Sequence, residues 1–322
     1  MNTTRKGVAV VTGGSAGVGR AVVEELARTG WNVAVIARGR AGTEAAAKAA
    51  REHGGEAGAY LVDVADLDAM RAAADEISRD LGPIDLWINV AFVGALRMFW
   101  DTSPDLFRRI TDVTYLGQVN GTRIALEHMR PRDRGVIINA GSALAFRGIP
   151  MQSAYCGAKH AIKGFTESVI AELRHEHSKV RVGMVQLPAM NTPQFDWNDT
   201  DETEHPQPVA PIYQPEVAAR MIRFMAEHPG RNAWVGISTA GTVLGNRVAP
   251  LLLDWYLGKT GVKAQLTDQP GPRYGSNVWE PRDDDADRGA RGMFDKTSHN
   301  WDPWSSAAMQ LRRVLTRSVT RR

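Results

Sequence analysis

Residues 8–19 read Val8-Ala-Val-Val-Thr12-Gly13-Gly-Ser15-Ala-Gly17-Val18-Gly19. The apolar, largely β-branched run Val8–Val11 has the composition of a buried strand. It enters a Gly-x-x-x-Gly-x-Gly turn, and a helical pattern follows through Ala21, Val22, Leu26 and Ala27, ending near Gly30. Strand, glycine turn and helix in that order form a dinucleotide-binding cradle. The glycines permit a tight turn and close approach of backbone to a pyrophosphate, and the helix N-terminus favours its negative charge.

Working outward, further apolar runs at Val33–Ile36, Ala59–Val62, Leu86–Asn89, Val136–Asn139, Val180–Gln186 and Trp234–Ile237 read as strands. Helical patterns alternate with them at about 41–53, 66–80, 104–130, 153–177 and 215–227, the third opening on the cap pair Ser103-Pro104. This alternation predicts an α/β fold, a doubly wound parallel sheet of about seven strands, Rossmann-like, with ligands beyond the carboxyl ends of the strands. Residues 1–240 are expected to form the dinucleotide-binding catalytic domain. Residues 241–322 are expected to form a C-terminal extension: a helix at about 243–257 strained by Pro250, an extended or disordered arm over 268–304, and a solvated, frayed basic tail.

Composition narrows the function classes. The net charge of +3 over 322 residues gives no strong pull toward nucleic acid. The single Cys156 excludes an intrachain disulfide and suits a reducing compartment. No apolar run reaches the ~18–20 residues of a membrane span. A cytoplasmic protein is expected, with membrane contact by the C-terminal arm as a minor alternative, and no metal is called for.

Chemistry is concentrated at Tyr155-Cys156-Gly157-Ala158-Lys159, with Ser142 upstream. Residues four apart on a helix share a face. A phenol of pKa ~10 is a poor acid-base group at neutral pH, and an adjacent ammonium favours its ionised form. A serine hydroxyl close by can hold a substrate oxygen on which charge develops. After the second strand the chain carries Ala37-Arg38-Gly39-Arg40. An acid at that place would bond the adenosine ribose hydroxyls and repel a 2′-phosphate, whereas Arg38 can pair with the phosphate, so NADP(H) is expected over NAD(H).

Taken together, the Thr12–Gly19 turn, Asp63-Val64 after the third strand, Ser142, and Tyr155 with Lys159 resemble the short-chain dehydrogenase/reductase family over roughly residues 6–240. The resemblance implies that Thr12, Gly13, Ser15, Gly17, Val18 and Gly19 cradle the cofactor and that Asp63, beside Val64, hydrogen-bonds its adenine. It places Asn89 and Ala91 beside the cofactor and Pro188 and Thr192 at the nicotinamide end. Lys159 would hold the ribose as well as tune Tyr155, which exchanges the proton while Ser142 holds the oxygen. A homodimer or homotetramer, paired through the two long helices, is also implied.

Three positions depart from the family pattern: Phe92 where a glycine is usual, Thr114 where an asparagine shapes a helix kink and the proton relay, and Ala189 after Pro188. Leu144, Phe146, Ile149, Phe195 and Trp197 would give an apolar substrate wall, suited to a hydrophobic alcohol or ketone. The expected activity is that of an alcohol dehydrogenase or carbonyl reductase. Two other readings stay open: a cofactor-binding sensor or scaffold with degraded catalysis, and epimerase or lyase chemistry on the same fold.

Overall fold

In the computed structural model the described residues are 6–319, with side chains described as far as Arg313. Seven strands form one parallel sheet: β1 (Val8–Thr12), β2 (Asn32–Ala37), β3 (Ala57–Leu61), β4 (Ile84–Asn89), β5 (Val136–Ser142), β6 (Arg181–Leu187) and β7 (Asn232–Trp234). Their spatial order is β7-β6-β5-β4-β1-β2-β3. The chain runs outward from β1 to β3, then returns to β4 on the other side of β1. The crevice opens at this reversal, beyond the carboxyl ends of β1 and β4.

Strand parity builds the two layers. Ala9, Val11, Val33, Val35, Leu86 and Ile88 pack on α1 (Gly17–Arg28), α2 (Arg40–Glu52) and α7 (Pro215–Glu227). Val8, Val10, Ala34, Ile36, Trp87 and Ile137 face α3 (Leu67–Asp80), α4 (Pro104–Thr111), α5 (Gly117–Met129) and α6 (Ser153–His175). Every residue of β1, β2 and β4 is buried, which is why these strands read as continuous apolar runs. The Ser103-Pro104 start holds as expected: Ser103 Oγ accepts the Leu106 amide at 3.2 Å. The expected helix at 104–130 is divided, α4 and α5 being joined by one π-helical turn at Asp112–Leu116.

The C-terminal extension departs from expectation. The apolar stretch forms two helices, α8 (Ile237–Val248) and α9 (Pro250–Thr260), because proline is accommodated at the first turn of the second. The hairpin leaves Val248, Leu251, Leu252 and Trp255 exposed. Among the described residues no helix is long and apolar enough to cross a membrane. The 268–304 segment is an ordered strap rather than a loose arm. Leu266–Pro270 pairs antiparallel with Glu204–Pro206, Ser298–His299 pairs with Ile212–Tyr213, and Val278 is fully buried.

The tail is helical too, as α10 (Pro303–Val319), with Arg313 stacked over Phe224 of α7. A run poor in apolar residues thus acquires order from side chain–backbone bonds to the domain it encircles. The basic residues Arg321 and Arg322 of the expected tail lie outside the described residues.

Candidate active site

Ser142 ends β5, and Tyr155 and Lys159 occupy the first two turns of α6. Asn89 and Asn139, paired in register on β4 and β5, fix the helices to these strands. Asn89 Nδ2 donates to Asn139 Oδ1 at 2.9 Å, Asn139 Nδ2 donates to Thr166 Oγ1 of α6 at 2.9 Å, and Trp87 Nε1 donates to Asn89 Oδ1 at 2.8 Å. Gly121 is required where α5 passes, since a Cβ there would stand 2.1 Å from Asn89 Oδ1. With α6 held against β5, Tyr155 and Ser142 come together at the cavity wall and Lys159 Nζ donates to Ala140 O at 2.8 Å.

These groups share one cavity of about 520 Å³ with the glycine turn. Burial pushes the Tyr155 phenol above its ordinary value, while the neighbouring Ser142 hydroxyl acts in the opposite direction. Burial also pulls Lys159 down to about 7. Each group is therefore displaced toward its neutral form in the free protein. The Lys159 ammonium lies 5.5 Å from the centre of the Tyr155 ring and 5.7 Å from that of Phe92. Cys156 is buried, and its thiol is pushed up to about 11, away from thiolate chemistry.

The dinucleotide cradle fits its proposed use. Gly13, at φ +69°, lies so close to Ala91 that a Cβ would stand 2.6 Å from the Ala91 Cα. No side chain caps α1; its Gly17 amide donates to Gly289 O at 3.0 Å, which leaves the Val18 and Gly19 amides toward the cavity that these residues line. Ser15, Arg38, Asp63, Val64, Ala91, Pro188 and Thr192 line it as well.

Two expected cofactor contacts lie elsewhere. Thr12 is buried behind the turn, its Oγ1 accepting the Val90 amide at 3.2 Å, and Asn89 is consumed by the core network above. Both hold the strand ends that carry the site. The asparagine beside an apparent cofactor loop was legible in the sequence; its inward orientation was not.

Of the residues expected in a substrate wall, Leu144, Ile149, Phe195 and Trp197 line the cavity. Phe146 does not. Its carbonyl accepts Asn246 Nδ2 at 2.7 Å and its ring lies under Lys163. Leu253, Tyr256 and Leu257 of α9, in the expected C-terminal extension, line the cavity too. Arg147 fastens this hairpin through Asn246 Oδ1 at 3.2 Å and a close ion pair with Asp254.

Thr114 sits in the π-helical turn, where its Oγ1 donates to Val93 O at 2.8 Å and accepts the Val93 amide at 3.1 Å. It anchors the loop after β4 and does not line the cavity. The π-helical turn is thus present without the usual asparagine, and the Thr114 hydroxyl is tied to main chain. Phe92 lines the cavity and meets Tyr155 edge to face, 5.6 Å between ring centres.

Residues 7–203 match the profile of the short chain dehydrogenase family. The chain belongs to this family. Members similar to it include an uncharacterized oxidoreductase, YxnA, of Bacillus subtilis, 30% identical over 299 residues that span 91% of this chain and 82% of that one. Carbonyl reductase family member 4 of Xenopus tropicalis is 29% identical over 225 residues, 69% of this chain and 92% of its own. Among solved structures, a metagenomic short-chain oxidoreductase in complex with NADP superposes with a TM-score of 0.60 at 26% identity, over 72% of this chain and 96% of that one. A Mycobacterium paratuberculosis short chain dehydrogenase bound to NAD has a TM-score of 0.64 over the same shares, and at 21% identity it speaks for the fold alone. Family membership makes the chain an oxidoreductase with a nicotinamide dinucleotide site.

The arginine expected to favour NADP(H) is not free in this short chain dehydrogenase. Arg38 Nη1 donates to Val278 O at 3.2 Å and to Trp279 O at 3.0 Å, and Nη2 donates to Asn277 O. Asp63, expected at the adenine, accepts the Ala65 amide at 3.0 Å and is paired with Arg109, whose Nε donates to Val278 O at 3.1 Å. Neither Arg109 nor the strap carries a sequence motif. Only the fold brings them to the site.

Proposed function

We propose that the chain interconverts a hydrophobic alcohol and its carbonyl compound, with Tyr155 as the acid-base group. The observation that carries this is the gathering of Ser142, Tyr155 and Lys159 in the same apolar cavity as the glycine turn. When bound, the dinucleotide supplies or accepts the hydride. In reduction, Tyr155 Oη gives its proton to the carbonyl oxygen as that oxygen becomes an alcohol, and the Ser142 hydroxyl steadies the developing charge. In oxidation the same proton moves back to Tyr155. Lys159, protonated, offsets negative charge on the phenol.

Leu144, Ile149, Trp197, Leu253 and Leu257 favour substrates with an apolar body. The preference for NADP(H) drawn from Arg38 is not carried forward, because strap carbonyls already accept its donors. A cytoplasmic location and a homodimer through the outer faces of α5 and α6 belong to the same reading. The hollow there is bordered by Val119, Leu126, Phe165 and Val169.

The test is carbonyl-dependent oxidation of reduced dinucleotide over a panel of hydrophobic ketones and aldehydes. Turnover that vanishes in Tyr155→Phe while dinucleotide binding persists supports the reading. Tight dinucleotide binding with no turnover across the panel would favour a sensor or scaffold instead.

A further inference from the structure

The strap crosses the adenosine end of the cavity and carries an acid into it. From Asn277, whose amide donates to Trp197 O at 3.0 Å, it passes Arg38 and Arg109 and reaches the start of α2. There the Gly42 amide donates to Asp283 O at 2.9 Å, and the Arg40 amide donates to Asp284 Oδ1 at 2.9 Å. It then reaches α1, where Arg20 pairs with Asp287 at 3.0 Å and the Gly17 amide donates to Gly289 O at 3.0 Å.

Asp283 is the inward group. It is buried and lines the cavity, as does Ser15 beside it. Glycine at 39 makes room for it, since a Cβ there would stand 1.9 Å from Asp283 Oδ1. A Cβ at Gly42 would stand 2.5 Å from Asp283 Oδ2. The acid therefore lies between the glycine turn and the end of β2, on the ground where the adenosine ribose is expected on this fold.

We propose that Asp283 sets the dinucleotide preference, favouring NAD(H) and disfavouring NADP(H). A carboxylate can accept the hydrogen bonds of a ribose diol, and it repels a 2′-phosphate carrying close to two negative charges. In this fold such an acid usually comes from the end of β2 itself. Here that position holds Arg38, whose guanidinium is turned onto the strap carbonyls and helps hold Asp283 in place. The Arg38 donors are thus taken by main chain, while the Asp283 carboxyl group lines the cavity. Asp285 provides an internal comparison, because it carries the same charge two residues on but is largely exposed and paired with Arg288 at 3.2 Å.

This inference rests on the dinucleotide site of the proposed function, and its test separates the two. Dissociation constants of NADH and NADPH are measured by calorimetry on the full chain, with no substrate. The wild type is expected to bind NADH at least tenfold more tightly than NADPH. Asp283→Asn, and Asp283→Ser as a smaller second variant, should bring the two within about threefold, mainly by strengthening NADPH binding. Asp285→Asn, which removes the same charge from the solvent side, should leave the ratio as in the wild type. A wild type that prefers NADPH, or a ratio unmoved by both Asp283 variants, overturns the proposal while leaving the dinucleotide site intact. Failure of the wild type to bind either dinucleotide overturns the site as well.

Discussion

Phe92 meets the ring of Tyr155 edge to face, with centroids 5.6 Å apart at 60°, and Lys159 Nζ lies 5.7 Å from the centre of the same phenylalanine ring. An aromatic side chain thus stands against both members of the acid-base pair, where family relatives usually have glycine. It contributes to the dryness that pulls Lys159 down and pushes Tyr155 up.

Replacing Phe92 with alanine should admit water beside the pair. The Lys159 pKa then rises, and the limb of the kcat/KM profile that reports its deprotonation moves to higher pH. A profile superimposable on that of the wild type would separate Phe92 from the electrostatics of the site.

Tyr155→Phe should lower kcat by at least about a hundredfold, the ordinary scale of a lost acid-base group, with dinucleotide affinity changed less than about threefold. Steady-state rates combined with calorimetric titration read both quantities. Parallel loss of binding would mean that the phenol is mainly a structural support.

Lys159 also predicts a pH-dependent stability. Its pKa is about 7 in the folded chain and about 10.5 when unfolded, so between those values the unfolded chain holds the additional proton. Stability contributed by this group therefore rises with pH from about 7 upward, by as much as ~1.4 kcal/mol per pH unit. Urea unfolding of the wild type and Lys159→Met at pH 7.0 and 8.5 tests it. The wild type should gain on the variant at the higher pH; a constant difference would contradict a depressed lysine. The Cys156 thiol, raised to about 11, is common to both proteins and cancels in the comparison.

Arg147→Ala should release the α8–α9 hairpin from the site. The side chain bonds Asn246 and pairs with Asp254, while Leu253 and Leu257 of that hairpin line the cavity. KM for the most apolar accepted carbonyl compound should rise about tenfold, with dinucleotide affinity little changed. An unaltered KM would remove α9 from the substrate wall.

Truncation after Val262 should destabilise the protein rather than trim an inert tail. It removes fully buried Val278, the Asp302 carboxylate that accepts the Gly236 amide at 2.9 Å, and the acceptors of Arg38 and Arg109. Losing one buried apolar side chain and leaving buried donors without acceptors each cost on the order of 1–3 kcal/mol. A truncated chain that melts at the wild-type temperature would show the strap to be energetically idle.

The seven strands alternating with helices, the glycine turn, and the shared helix face of Tyr155 and Lys159 were legible in the sequence because each depends on local pattern. A buried parallel strand needs a continuous apolar run, a pyrophosphate turn needs glycines at fixed spacing, and two residues four apart must share a helix face. What those patterns could not contain was which way Asn89 and Thr12 turn, whether Arg38 is free, and what a polar C-terminal stretch does. Asn89 looks like a cofactor neighbour until Asn139, fifty positions later, claims its amide. The strap looks disordered because its fixation lies in hydrogen bonds from Arg38, Arg109 and Gly42 to its carbonyls, and backbone acceptors leave no trace in residue identity. By itself, then, the sequence determined the fold and named the side chains that gather at the centre of the cavity. Which groups line the cavity beside Ser15 was decided by tertiary structure, since Asp283 reaches it only when the chain has closed around the sheet.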